Sequence, residues 1–228
     1  MSRAVVLLSG GLDSSTTLGI AAKEYEELCA LTFIYGQKHE KEIESAKKIA
    51  SHYCVEEHKI LNIPLSKIGR SSLLKNGEKI PEHQGENIGE SIPSTYVPAR
   101  NMIMLSYALC YAESIGADAV YIGATARDYS GYPDCRPEFF HAFEEMAEEG
   151  TERGLEGSPV KIKYPLIHMT KGDIVKKAHE IGVPLRWTWS CYKGEKKACG
   201  ECDSCKLRLK GFEEAGIEDP IDYVEKDP

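Results

Sequence analysis

Residues 5–17 read VVLLSGGLDSSTT: an apolar run, two glycines, a leucine, an aspartate and a row of hydroxyl residues. A glycine-rich turn between a strand and a helix exposes backbone N–H groups, and the helix N-terminus adds partial positive charge. Such a turn suits a phosphate, with Ser9, Ser14, Ser15, Thr16 and Thr17 as further donors. The candidate nucleotide-binding stretch is therefore Leu8, Ser9, Gly10, Gly11, Leu12, Asp13, Ser14, Ser15, Thr16, Thr17 and Leu18. Asp13 and Ser14 are its candidate catalytic residues. The motif is neither the lysine-bearing GxxxxGK[ST] loop nor GxGxxG. The bland alternative is an ordinary strand-to-helix turn capped by serine.

A second constellation, SCYKGEKKACGECDSC, fills residues 190–205. Cys199, Cys202 and Cys205 make two CxxC steps that share a cysteine, and Cys191 lies upstream. That pattern suits a tetrahedral four-thiolate metal site, with Gly194 and Gly200 permitting tight turns. Four sulfurs leave no open coordination position, which favours one structural zinc per chain; an iron–sulfur cluster is the rival. Cys29, Cys54 and Cys110 read as small core residues.

The third is TARDYSGYPDCRPEFF, residues 125–140, which sets Asp128, Asp134, Arg136 and Glu138 among Tyr129, Tyr132, Phe139 and Phe140. Charges and aromatics on a proline- and glycine-bearing loop suggest recognition of a flat heterocycle. Tyr132, Asp134, Arg136 and Phe139 are the candidate substrate contacts, with Asp134 able to accept from a guanine-like edge. A solvated surface loop is the plainer reading. Arg100, in "PAR" at the start of a long helix, is a candidate to hold a carboxylate or phosphate bidentately. Lys38 and His39 follow the second strand, with no catalytic role assigned to His39. Lys161, Lys163 and Lys171 are weaker candidates.

Elements must bring these together. Strands are predicted at 3–8, 28–35, 57–62, 119–124 and 160–166, and helices at 14–26, 39–53, 99–115, 137–149 and 171–181. Strand–helix alternation at this spacing predicts an α/β fold on a parallel sheet with helices on both faces. Residues 69–95 lack apolar periodicity and suggest a lid. The expected division is 1–184 for the α/β domain and 185–228 for a zinc-binding C-terminal segment packed on it. The chain has 228 residues, 28 Lys+Arg against 36 Asp+Glu and a net charge of −8. That argues against stable nucleic-acid binding, which needs clustered cations. No run approaches the roughly 18 apolar residues of a membrane span. No secretory signal is visible either, so a cytoplasmic protein is expected.

The loop SGGLDSS resembles the SGGxDS loop of the ATP pyrophosphatase, or PP-loop, superfamily, whose enzymes split ATP between its α and β phosphates. Taken together, LLSGGLDSS, YGQKH, VPARN, GYPDCRPEF and SCY…CGECDSC resemble the 7-cyano-7-deazaguanine synthase family, from residue 5 to about 210. The resemblance implies a Rossmann-like core, a C-terminal zinc knuckle and a homodimer. It further implies that ATP, with Mg²⁺, and ammonia convert 7-carboxy-7-deazaguanine to the nitrile on the route to queuosine or archaeosine. In that setting Asp13, Ser14, Arg100 and Asp134 are the catalytic candidates. Other readings are a PP-loop tRNA thiolase with Cys135 as sulfur carrier, and a nucleotide-sensing module built on the knuckle.

Overall fold

The computed structural model describes residues 2–37, 41–75, 77, 92, 94–126, 132–193 and 196–225. Lys38, His39, Asp128, Tyr129 and most of the 69–95 segment, with its expected lid, lie outside the described residues.

The chain alternates as expected. Strand β1 (Arg3–Leu7) leads to helix α1 (Leu12–Glu24), β2 (Glu27–Ile34), α2 (Lys41–His52), β3 (Glu57–Asn62) and the single turn α3 (Leu65–Ile68). Helix α4 (Arg100–Ser114) follows, then β4 (Ala119–Tyr121), α5 (Pro137–Gly150), α6 (Glu152–Leu155), β5 (Lys161–Lys163), α7 (Lys171–Glu180) and α8 (Asp203–Ala215). The five strands form one sheet in the order β3-β2-β1-β4-β5, every pair parallel.

Residue types explain the layers. A strand buried on both faces reads as a continuous apolar run, and β2, ELCALTFI, is one. Alternate residues feed two cores. Val5, Leu7, Leu31 and Val120 face Leu105 and Ala108 of α4 and Phe140 of α5, while Ala4, Val6, Ala30 and Tyr121 face Leu18 of α1 and Ile49 of α2. In α2, Ile43, Ala46, Ile49 and Ala50 recur at helical spacing and are its buried stripe.

Strand β4 ends at Tyr121, short of the expected residue 124, because Gly123 turns the chain onto α1. A Cβ at Gly123 would stand 3.0 Å from Ser14 N and from the Asp13 carbonyl carbon. The C-terminal segment joins a third core, in which Leu185, from the turn Leu185–Trp187, and Phe212, from α8, pack with Leu166, Ile174, Val175 and Leu12. Leu12 is the first residue of α1, so this core reaches the glycine loop itself. Among the described residues, no helix is long and apolar enough to cross a membrane.

Candidate functional site

In an open parallel sheet, ligands bind beyond the carboxyl ends of the strands where the strand order reverses. Here that point lies between β1 and β4. A cavity of about 300 Å³ opens there, bounded by the glycine loop, the ends of β2 and β4, and helices α2, α4 and α7.

The glycine loop is built as a cradle. Gly10 has φ +83°, and a Cβ on it would lie 2.3 Å from the Glu42 carbonyl oxygen and 2.5 Å from Ala46 N. Helix α2 thus presses its backbone onto the loop, and only glycine fits. Gly10→Ala combines left-handed strain of roughly 1–2 kcal/mol with a backbone clash. We expect urea unfolding to show a loss of at least about 2 kcal/mol together with weakened nucleotide binding; unchanged stability would contradict this packing.

Helix α1 starts at Leu12, two residues earlier than the sequence suggested, with Gly11 as N-cap and no side-chain cap. Ser14 is not the cap. Its Oγ accepts from Ser9 N at 3.1 Å, lies 3.0 Å from Ser9 Oγ and donates to Gly11 O at 3.3 Å. These contacts brace the loop and leave Ser9, Gly11, Asp13 and Ser14 on the cavity wall, with Leu8 and Leu12 beside them.

The expectation that the whole hydroxyl run faces a ligand is corrected. Thr16 Oγ1 donates to Leu12 O at 2.8 Å and Thr17 Oγ1 to Asp13 O at 2.9 Å. Both threonines, Ser15 and Leu18 are fully buried, because α1 is covered on several sides, by the sheet and α2 and by α7.

Asp13 has a partner that sequence reasoning ranked low. Lys171 Nζ donates to both carboxylate oxygens, at 2.9 and 2.8 Å. Thr170 and Asp173 form a capping box that starts α7 at Lys171. The stem of Lys171 lies on α8 over Gly211, where a Cβ would come within 2.4 Å of Lys171 Cγ.

Across the cavity stand Arg100, Tyr35, Gln37, Glu42, Tyr132 and Cys135. Arg100 lies over the Tyr35 ring, 5.8 Å from its centre. Burial opposes its charge, but Tyr35, Tyr132, Cys135 and Asp134 together hold the guanidinium protonated, with its pKa raised. Tyr132 hydrogen-bonds Thr95 Oγ1 at 2.7 Å and packs 5.9 Å from Tyr96.

The other three expected substrate contacts lie elsewhere. Asp134 is buried, and its Oδ2 accepts from Asn101 N at 3.0 Å while Asn101 Nδ2 donates to Asp134 O. It braces the first turn of α4, whose N-cap Ala99 has φ +55°, and borders a small void beside Arg100 and Tyr132 rather than the main cavity. Arg136 is exposed, its Nε donating to Pro133 O at 3.3 Å. Phe139 packs edge-on against Phe140, 5.1 Å between ring centres. The buried face of α5 is Phe140, Phe143 and Ala147, and Phe139, half-buried, packs at its border.

Sequence reasoning missed Glu42, Tyr35 and Gln37 as cavity residues. The only local signal was the place of Tyr35 and Gln37 just after β2, and of Glu42 at the start of α2, at the sheet's carboxyl edge.

The four C-terminal cysteines converge. Their Sγ atoms all lie within 4.8 Å of one another, with Cys199 and Cys205 3.9 Å apart. A tetrahedral zinc with bonds of about 2.3 Å needs sulfurs about 3.8 Å apart, so Cys191, Cys199, Cys202 and Cys205 fit a metal. Backbone N–H groups of Cys199 and Cys202 point at Cys191 Sγ (3.4 Å) and Cys199 Sγ (3.3 Å). Hydrogen bonding from Cys202 and Cys205 pulls the Cys191 thiol down, and the same crowding pushes Cys202 up to about 11 and Cys205 higher. A cation resolves that conflict by holding all four as thiolates.

The family model for queuosine biosynthesis protein QueC matches residues 3–216. A 7-cyano-7-deazaguanine synthase of Desulfitobacterium hafniense is 52% identical over 224 residues, 98% of this chain and 94% of that one. The enzyme of the same name from Acetivibrio thermocellus is 53% identical over 226 residues, covering 99% of this chain and 100% of that one. That of Thermoplasma acidophilum is 54% identical over 221 residues, 97% of this chain and 92% of that one.

Proposed function

The chain belongs to the queuosine biosynthesis protein QueC family, and from that premise we propose that it converts 7-carboxy-7-deazaguanine and ammonia to 7-cyano-7-deazaguanine at the expense of ATP. The observation that supports this best is the cavity itself. It joins a phosphate cradle, with its Asp13–Lys171 pair, to a chamber lined by Arg100 and Tyr132. Its volume lies at the lower end of the range for small-molecule sites, about 300–1,000 Å³.

The chemistry follows from counting oxygens. A carboxylate oxygen is a poor leaving group, so amide formation needs activation by AMP; loss of the second oxygen needs a second adenylation. One phosphate loop, residues 8–18, would serve both. Loop N–H groups and Lys171 would hold the departing pyrophosphate. Asp13 would orient Lys171, and Ser14 would keep the loop in shape. Arg100 would steady the acyl carboxylate and Tyr132 would stack on the heterocycle. Asp134 would act through Asn101 and α4, as a positioning residue. Mg²⁺ would enter with the ATP phosphates at this loop and offset their charge.

We assign zinc to the four-cysteine site, as a structural ion in the segment 185–228 that packs on the 1–184 domain. Homodimer formation and free ammonia as the nitrogen donor belong to the same proposal. So does a cytoplasmic location, which suits eight cysteines with no disulfide among them. The thiolase alternative is disfavoured because burial pushes the Cys135 thiol up to about 11. A neutral thiol makes a poor sulfur carrier.

Two AMP are expected per nitrile formed. The intermediate 7-amido-7-deazaguanine should itself be a substrate that needs ATP but no ammonia. Chromatography of nucleotides and bases from one reaction decides it. An inert amide or ADP as product overturns this mechanism, and AMP release that requires tRNA favours the thiolase.

A further inference from the structure

Glu42 is the second residue of α2, and its backbone carbonyl is the group that rests on Gly10. That contact fixes the start of α2 against the phosphate loop and sets Glu42 on the cavity wall, near Arg100 and Tyr35. Among the described residues, no hydrogen bond or ion pair holds its carboxylate. Glu42 is half-buried in that wall, and an unpaired carboxylate partly withdrawn from water at a cavity is poised for use in a reaction.

We propose that Glu42 is the general base that takes the nitrogen-bound protons in both halves of the reaction, an inference that rests on the function proposed above. In the first half, ammonia attacks the acyl adenylate, the new C–N bond forms, and AMP leaves with the C–O electron pair. The nitrogen then carries one proton too many, and Glu42 accepts it. In the second half the amide oxygen is adenylated with release of pyrophosphate. The adenylated amide carries two N–H protons: the first passes to Glu42 to give the neutral imidate, and the second follows, once the carboxylate has released the first to water, as the C–O bond breaks, leaving a nitrile and AMP. Each proton accepted returns to water before the next step.

Burial raises the Glu42 carboxyl to about 7, with Arg100 opposing the rise. A base tuned near the working pH is the most effective. Among the described residues near it, Tyr35, Tyr132 and Cys135 are raised by burial and the Arg100 guanidinium is raised too. Asp13 and Lys171 are paired with each other. Lys41, next in the chain, turns away to the Trp189 ring, 3.3 Å from its centre, and its pKa is lowered by burial. His58 sits behind Thr32, with a pKa likewise lowered by burial.

The sign follows: the base works ionised, so turnover should fall as pH drops through about 7. The amide half-reaction reads this best, because it needs no ammonia and ammonium titration cannot mask the limb. Glu42→Gln should lower kcat on 7-amido-7-deazaguanine by roughly 10²–10⁴-fold and abolish the acidic limb. Pyrophosphate–ATP exchange with the acid substrate should stay within about threefold of wild type, since adenylation precedes the proton transfer. Glu42→Asp, which keeps the carboxylate, should retain part of the activity and the limb. A Glu42→Gln enzyme with near-normal kcat and an unchanged limb overturns the proposal. So does exchange that collapses with turnover, which would make Glu42 a support of the nucleotide site. Wild-type protein inert toward the amide would instead refute the reaction proposed above.

Discussion

Lys171→Ala is expected to lower kcat/KM for ATP by roughly 10²–10³-fold, the cost typical of losing one preorganised charged donor to a reacting group. Its ammonium sits between the two Asp13 oxygens at the N-terminus of α7, with 11% of the side chain exposed. There it offsets the Asp13 carboxylate and supplies a cation beside the loop's N–H groups, hydroxyls and helix dipole. The PP-loop pattern carries no lysine of its own, so a distant helix supplies one. Circular dichroism should be little changed, because Asp13, with 27% of its side chain exposed, keeps access to water once the lysine is gone. Lys171→Arg is expected to recover only part of the activity, since a planar guanidinium presents its donors differently from the compact ammonium held between the two Asp13 oxygens. Steady-state kinetics with ATP varied decides the matter. A Lys171→Ala enzyme with wild-type kcat/KM would remove the lysine from the phosphate site.

Loss of the metal is expected to have the larger effect on stability. Cys202→Ser, or exhaustive chelation, should strip one zinc per chain and lower the thermal midpoint by many degrees. Structural zinc contributes apparent binding energies of about 10–16 kcal/mol in isolated zinc-finger peptides, an upper guide here. The knuckle has other supports that should keep α8 from unfolding outright. Arg208, fully buried, makes a bidentate pair with Asp219 at 2.7 and 2.9 Å and donates to Thr188 Oγ1 at 2.8 Å. Tyr223 donates to the same carboxylate at 2.6 Å, and Ala198 N bonds Asp222 O. A buried pair of this kind is strongly destabilising when one partner is removed. Helix α8 also carries Gly211, on which Lys171 rests, so metal loss should reduce turnover as well as stability. Elemental analysis, thermal unfolding and turnover on one preparation test both effects. Iron with acid-labile sulfide would replace zinc by a cluster, and a metal-free protein of full stability would end the assignment.

Some of this was legible in the chain alone because the information is local. A parallel sheet needs apolar strands alternating with amphipathic helices, and both periodicities are written residue by residue. The glycine pair after the first strand marks a turn whose N–H groups face out, and CxxC spacing sets how closely sulfurs can approach. Those arguments act over a few residues, so they carried the α/β class, the phosphate loop and the four converging cysteines.

The tertiary structure decided which side of each element meets the cavity. Lys171 reaches Asp13 across 158 positions, and Glu42 enters the cavity because Gly10 lets α2 descend on the loop. No spacing rule reports either. The same geometry turned Thr16 and Thr17 inward, set Phe139 against the border of the core and gave Asp134 to the backbone of α4. A side chain's chemistry belongs to its residue type, but its direction depends on which face of its helix the rest of the protein buries.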